Sequence, residues 1–161
     1  MDDVKQATGS SIRMGEMRVD GDGNSLRTLL GSCIGLALYD RQQKIGGLAH
    51  IVLPRSRGKT DRPGKFVDTA IPALIQQMEQ LAGQKLKLTA RMAGGASMFA
   101  TKVAARIGLQ NIQSCEQLLR DLQIPILARH CGGEQGRRMT FDTDNGNVVI
   151  EIVGQNPIEL K

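Results

Sequence analysis

The sequence predicts an α+β fold, with strands at both ends of the chain and helices between them. Three observations predict it. Short apolar runs broken by Gly, Asp and Asn clusters fill the first third of the chain. A helical apolar period replaces them from Ala70 to Ala82 and again from Ile112 to Leu122. Strand-like runs then return from Ile124 onward. With 161 residues and no composition break, repeat or low-complexity stretch, one domain over 1–161 is expected, its first ten residues flexible.

Taken in order, Ile12–Val19 is a candidate strand, Asp20-Gly21-Asp22-Gly23-Asn24 a turn, and Leu26–Leu30 the next strand. Ile34–Tyr39 reads as a buried strand, Asp40–Lys44 as a turn and Ile45–Leu53 as the returning strand. If these two pair as a hairpin with Tyr39 opposite Lys44 or Ile45, Cys33 falls opposite His50 or Ile51. Facing residues in such a pair have Cβ atoms about 4.5–5.5 Å apart, which makes Cys33 and His50 neighbours. A Gly- and Pro-rich basic loop follows from Arg55 to Lys65. Ala70, Ile71, Leu74, Ile75, Met78, Leu81 and Ala82 form one helix face, with Asp68 or Thr69 as N-cap, Pro72 in the first turn and Gly83 as terminator. Leu86–Met92 reads as a strand leading to Gly94-Gly95 and a short helix at Ala96–Phe99. Asn111 is placed to cap a second helix carrying Ile112, Cys115, Leu118, Leu119 and Leu122. Strands at Ile124–His130, Arg138–Thr143 and Val148–Val153 complete the chain, the last two joined through Asp144-Asn145-Gly146-Asn147.

Composition narrows the function classes. A net charge of +5 favours acidic partners without naming one. Two per cent aromatic residues leave no stacking platform for single-stranded nucleic acid, and no helix concentrates Lys and Arg, so no nucleic-acid partner is expected. No apolar run approaches a membrane span and the start Met1–Gln6 lacks signal-peptide character, so neither membrane insertion nor export is expected. Three cysteines without Cys-x-x-Cys spacing suit free thiols in a cytoplasmic protein.

Cys33 and His50 are the candidate chemical pair. A cysteine at a strand end is more commonly a small core residue. A histidine inside an apolar strand, however, must use its ring nitrogens, and a thiol across the ladder offers one use: the imidazole takes the thiol proton. Gly31, Gly46 and Gly47 remove bulk where a substrate carbonyl approaches and leave backbone N–H groups for an oxyanion, or else they serve only a bulge. His130-Cys131 is the competing pair; adjacent strand residues point to opposite faces, which favours a structural role. A zinc site from Cys33, His50, His130 and Cys131 matches no compact spacing, and Cys115 reads as core. Gly94-Gly95 and Gly132-Gly133 belong to no phosphate-binding motif.

Four blocks together resemble the CheD family of chemoreceptor glutamine deamidases: Thr28-Leu29-Leu30-Gly31-Ser32-Cys33, Gly46–Pro54, Gly58–Ala70 and Ala93–Phe99. The resemblance implies an α/β/β layered sandwich related to the catalytic domains of deamidating bacterial toxins. It also implies Cys33 as nucleophile and His50 as its base. A third family residue, a threonine, stands in some members six residues before the cysteine, where this chain has Arg27; the resemblance assigns the role to Thr28, five before. That offset calls for a bulge, or for another group to orient His50.

The implied chemistry is hydrolysis of a glutamine carboxamide through a thioester, with backbone N–H groups near Gly31, Ser32, Cys33 and Gly47 at the oxyanion and substrate. It needs no metal and no organic cofactor. The implied substrates are the cytoplasmic helices of methyl-accepting chemotaxis receptors. Arg55, Lys59, Arg62 and Lys65, with Arg57, become candidates for steering to those acidic helices, a solvated loop being the alternative. The resemblance also allows a docking role, in which the chain binds receptors or the phosphatase CheC with little turnover. A cysteine-dependent esterase or protease is the remaining alternative.

Overall fold

The computed structural model describes residues 10–58, 60–98 and 102–161. The expected flexible start therefore lies, apart from Ser10, outside the described residues. Ten strands and two α-helices are formed among the described residues: β1 (Ser10–Ser11), β2 (Met17–Asp20), β3 (Ser25–Leu30), β4 (Ile34–Asp40), β5 (Ile45–Ile51), α1 (Val67–Ala82), β6 (Thr89–Gly94), α2 (Lys102–Asp121), β7 (Ile126–Cys131), β8 (Arg137–Asp142), β9 (Val148–Glu151) and β10 (Ile158–Leu160). They make two mixed five-stranded sheets, an outer one ordered β1-β3-β8-β9-β10 and an inner one ordered β2-β5-β4-β6-β7.

The fold is α+β, and its two apolar cores define three layers. One core packs Ile34, Leu36, Leu38, Ala49 and Ile51 of the inner sheet against Ala70, Ile71, Leu74 and Met78 of α1 and Cys115 and Leu119 of α2. The other packs Ala37, Tyr39 and Leu48, from the opposite face of the same sheet, against Leu26, Leu30, Met139, Phe141, Val148 and Ile150 of the outer sheet. Every residue of β4 and β5 is consequently buried, which is why both read as unbroken apolar runs. The outer sheet has one covered face and alternates: Leu26, Thr28 and Leu30 of β3 point inward while Arg27 and Leu29 do not. Truncating a side chain such as Leu74, wholly buried between α1 and the inner sheet, costs about 2–5 kcal/mol in cores of this kind.

Several elements differ from the sequence reading, each for a local reason. Of the single strand expected over Ile12–Val19 only Met17–Val19 is formed, as part of β2; residues 12–16 are coil and turn, with Gly15 at φ 79°, and the short β1 precedes them. The hairpin loop holds four residues, 41–44, with Lys44 in the left-handed region (φ 53°), so Tyr39 faces Gly46, and Gly35, not Cys33, faces His50. Helix α1 starts at Val67, and its N-cap Phe66 makes no side-chain cap bond; Asp68 instead accepts from the N–H and hydroxyl of Ser56 at 2.9 and 3.1 Å. Pro72 sits in the second turn rather than the first. Gly83 ends the helix in the left-handed conformation, donating to Glu79 O, as the spacing predicts. Ala96–Met98 is irregular rather than helical, and Phe99 lies outside the described residues. Helix α2 begins at Lys102, so Asn111 lies in mid-helix and caps nothing.

Gly108 lies within the first half of α2, where it allows a close approach. A Cβ there would stand 2.6 Å from Gly95 O and 2.9 Å from Ala96 O. Its absence lets the helix backbone lie directly on the segment that follows β6. The helix then returns the chain to β7, parallel to β6, as a β-α-β crossover.

Candidate active site

His50 lies near the end of β5 on the face toward the outer sheet and is 3% exposed. Its N–H and C=O bond to Glu16 O and Gly15 N, on the side away from β4. The facing pair Gly35–His50 is therefore of the non-hydrogen-bonded kind, with Cα atoms about 4.5 Å apart. On the ring, Nδ1 is 2.6 Å from the Thr28 hydroxyl, and that hydroxyl is 2.7 Å from Ile12 O. A hydroxyl has one proton, and only donation to the Ile12 carbonyl makes the second contact attractive; Thr28 therefore accepts from Nδ1–H. This assigns the proton to Nδ1 and leaves a lone pair on Nε2, which is buried and has no hydrogen-bond partner among the described residues. Burial lowers the pKa of His50 from 6.5 to about 4, against a smaller raising effect of Glu16, so the ring is neutral near pH 7.

The regular β3–β8 register contains no bulge. Alternation along β3 alone turns Thr28 inward and Arg27 outward. No correction for the one-residue offset from the cysteine is needed.

Cys33 ends the bend that links β3 to β4, packs in the core between the sheets, and is 7% exposed. It thus shares with His50 the face toward the outer sheet. Burial raises its thiol pKa. The three carbonyls of Gly31, Ser32 and Cys33 are all anchored: Gly31 O accepts from Ala96 N at 2.9 Å, Cys33 O from Gly95 N at 2.9 Å, and Ser32 O from Asn111 Nδ2 at 3.0 Å. Among the described residues, no acceptor takes the N–H of Ser32 or Cys33. Gly94, at φ 107°, closes the bend from the other side; a Cβ there would run into the Cys33 carbonyl oxygen.

Beside Gly31 opens a cleft of about 750 Å3, walled by Leu29, Met98, Arg137, Glu151 and Val153 among others. Leu29, Met98 and Val153 are exposed apolar side chains. Arg137, 5% exposed, was not anticipated: its guanidinium donates to His130 O at 2.7 Å, to Gly132 O, to Gln135 O at 3.2 Å and to His130 Nδ1 at 2.8 Å, closing the turn beneath the cleft. His130 therefore supports that turn, its pKa lowered by burial and by Arg137. Cys131 (pKa raised to about 11 by burial) and the fully buried Cys115 belong to the helix-side core. Among the described residues, no three of His, Cys, Asp and Glu come together as metal ligands.

Gly47 is not part of this arrangement. It lies on the helix-facing side of β5, where a Cβ would meet Leu74 and Met78 of α1 at 2.8 and 2.9 Å, and it pairs with both Leu38 and Val19. His50 lies three positions further along the strand, which puts the two on opposite faces. In the basic loop, Arg55 and Arg57 are exposed and line a second cleft of about 780 Å3 with Gln110, Gln113 and Gln117. Arg62 donates to Met14 O at 3.1 Å, and Lys65 Nζ sits 5.6 Å from the centre of the Phe66 ring. Lys59 lies outside the described residues. No helix among the described residues is long and apolar enough to cross a membrane.

A family model described as CheD chemotactic sensory transduction matches residues 52–152. A protein of Clostridium botulinum named probable chemoreceptor glutamine deamidase CheD is 41% identical over 98% of this chain and 99% of its own length. Proteins of the same name from Methanococcus maripaludis and Methanococcus vannielii are 40% and 41% identical over 86% of this chain and 92% of theirs. With a match of this extent to the family model, and relatives that run through the Cys33 bend and the His50 strand, the chain belongs to the CheD family.

Proposed function

We propose that this protein is a glutamine deamidase of chemoreceptors, hydrolysing side-chain carboxamides of methyl-accepting chemotaxis receptors to carboxylates with Cys33 as nucleophile and His50 as base. The observation that carries the reading is the state of His50: Nδ1 is committed to Thr28, and Nε2 is a buried lone pair, without a partner among the described residues, on the face it shares with the Cys33 thiol. The names of the relatives support the substrate class.

Burial disfavours both charged forms, imidazolium and thiolate, so the resting pair is neutral. Proton transfer is then coupled to attack. As the substrate carboxamide carbon bonds to Sγ of Cys33, the thiol proton passes to Nε2 and the carbonyl electrons move to oxygen, opposite the N–H groups of Cys33 and Ser32. Collapse breaks the C–N bond, with the proton on Nε2 leaving with nitrogen as ammonia. Water, deprotonated by Nε2, attacks the thioester; its C–S bond breaks, giving glutamate and regenerating the Cys33 thiol. The cleft beside Gly31 is the approach, and its exposed Leu29, Met98 and Val153 suit a protein substrate.

Incubation with a receptor cytoplasmic fragment tests this. A gain of about one mass unit at discrete glutamines, with ammonia release, is expected from the wild type and from neither Cys33→Ala nor His50→Gln. Tight binding with unchanged glutamine would leave a docking protein, and backbone cleavage would make it a protease.

A further inference from the structure

Among the described residues, Asn111 is the one side chain whose hydrogen bonds tie the nucleophile bend to the chain just beyond the histidine strand. It is wholly buried in mid-helix of α2 and uses both Nδ2 protons, one on Ser32 O at 3.0 Å and one on Val52 O at 2.9 Å. Val52 is two residues beyond His50, and Ser32 immediately precedes Cys33. The ladder itself stops at Ile34 opposite Ile51, so past that point Asn111 takes over the spacing of the two chains. The other two anchors of the bend, Gly95 N and Ala96 N, are backbone groups.

Two further facts separate this amide from ordinary core filling. Its neighbours on the same helix face are Ile112, Cys115, Leu118 and Leu119, all in or against an apolar core. Its Oδ1 is buried with no partner among the described residues. An apolar residue of similar size would avoid that desolvation cost. Reversing the amide would set Oδ1 against two carbonyl oxygens, so the orientation is fixed.

We propose that Asn111 is a positioning residue for the deamidase chemistry. A trans peptide holds C=O and N–H antiparallel. By drawing Ser32 O toward the helix layer, Asn111 turns the Cys33 N–H the other way, toward the face where the thiol and His50 lie. One amide thereby sets both the oxyanion donor and the distance between the Cys33 bend and the end of β5. The inference rests on the deamidase reading for its catalytic consequence, but the placement of Cys33 can be read without it.

The test compares Asn111→Leu in the full chain with Cys115→Ala, which disturbs the same helix face one turn along without touching the bend. The readouts are kcat and KM on a receptor fragment, thermal unfolding, and the rate at which iodoacetamide alkylates Cys33, mapped by mass spectrometry. For Asn111→Leu, kcat is expected to fall by about 10- to 100-fold with KM within about twofold, as misplacement of reacting groups by about an ångström does. The Cys33 alkylation rate at pH 7 should shift in the same variant. Cys115→Ala should keep both rates near wild type despite a lowered Tm. A folded Asn111→Leu with wild-type kcat and alkylation overturns the proposal, as does an equal kcat loss in Cys115→Ala at equal stability. If wild type releases no ammonia, the deamidase reading fails, and alkylation still decides the clamp: an unchanged Cys33 rate in Asn111→Leu overturns it. Should Asn111→Leu not fold, Asn111→Ser, which keeps one donor, carries the same comparison with an intermediate loss expected.

Discussion

The Thr28 hydroxyl, on the outer sheet, accepts from Nδ1 of His50, on the inner sheet, at 2.6 Å while giving its own proton to Ile12 O at 2.7 Å. A residue of one sheet thus selects the tautomer of a histidine in the other, and with it the lone pair that faces the interior.

Thr28→Val keeps the shape and removes the hydroxyl. Ile12 O and His50 Nδ1 are then buried without partners, which costs about 1–3 kcal/mol of stability. Released from one tautomer, the ring loses much of its value as a base, and kcat on a receptor fragment should drop about 100-fold. Thr28→Ser, retaining the hydroxyl, should stay within about tenfold of wild type. Wild-type turnover in a folded Thr28→Val would dismiss the role.

Stability should depend on pH through His50. Its folded pKa, about 4, lies below the unfolded value of 6.5. Between these values the unfolded chain binds more protons, so stability is fully present above about pH 6.5 and lost as pH falls toward 4. For a histidine this buried the loss approaches about 3 kcal/mol. His130, lowered in the same direction, adds a contribution of the same sign. Urea unfolding from pH 7 to pH 4 should show a steeper decline for wild type than for His50→Gln; equal slopes would contradict the assignment.

Gly94→Ala should damage the site more than its size suggests. The position requires φ 107°, and the new methyl would meet the Cys33 carbonyl oxygen. Backbone strain of this sort costs about 1–3 kcal/mol. Moving that carbonyl moves the thiol, so turnover should fall by about 100-fold. Gly132→Ala is the control: it also has positive φ, at 85°, but open space for a Cβ, and should lose stability with little change in kcat. Indistinguishable kcat values for the two variants would remove the link between Gly94 and Cys33.

The basic loop should act on encounter rather than chemistry. Arg55 and Arg57 are exposed, whereas Arg62 and Lys65 are engaged with Met14 and Phe66. Reversing both free charges, Arg55→Glu with Arg57→Glu, should raise KM for a receptor fragment severalfold at low salt and leave kcat unchanged. The difference should fade near about 0.5 M salt, where screening removes long-range attraction. A salt-independent KM would assign the loop to solvent.

Much of the fold was legible because its signals are local. The alternation in β3 and the helical period of α1 with Gly83 beyond it are written into neighbouring residues. The hairpin register was not, because it depends on Lys44 entering the left-handed region, which lysine seldom does. The first half of α2 was not legible, because Asn111 reads as the helix start; Gly108, before it, serves a contact with Gly95 and Ala96, distant in sequence. The same long-range blindness turned Asn111 into an apparent cap and left Arg137 unremarked; an amide at a core position of an apolar helix face was the available signal. Gly47 was misplaced because a glycine carries no side chain to reveal which face it serves.

The division of the site between two sheets has a dynamic consequence. Thr28 and His50 are joined across a plane of apolar side chains, with no strand pairing between their sheets among the described residues and only a few side-chain bonds, such as Tyr39 to Asp144 O and Arg91 to Leu160 O, to hold that plane in register. A small relative slip would part the hydroxyl from Nδ1 while leaving every ladder intact. Loosening of the sandwich, well short of unfolding, would silence the imidazole, so warming should extinguish turnover at a temperature where circular dichroism still reports full secondary structure.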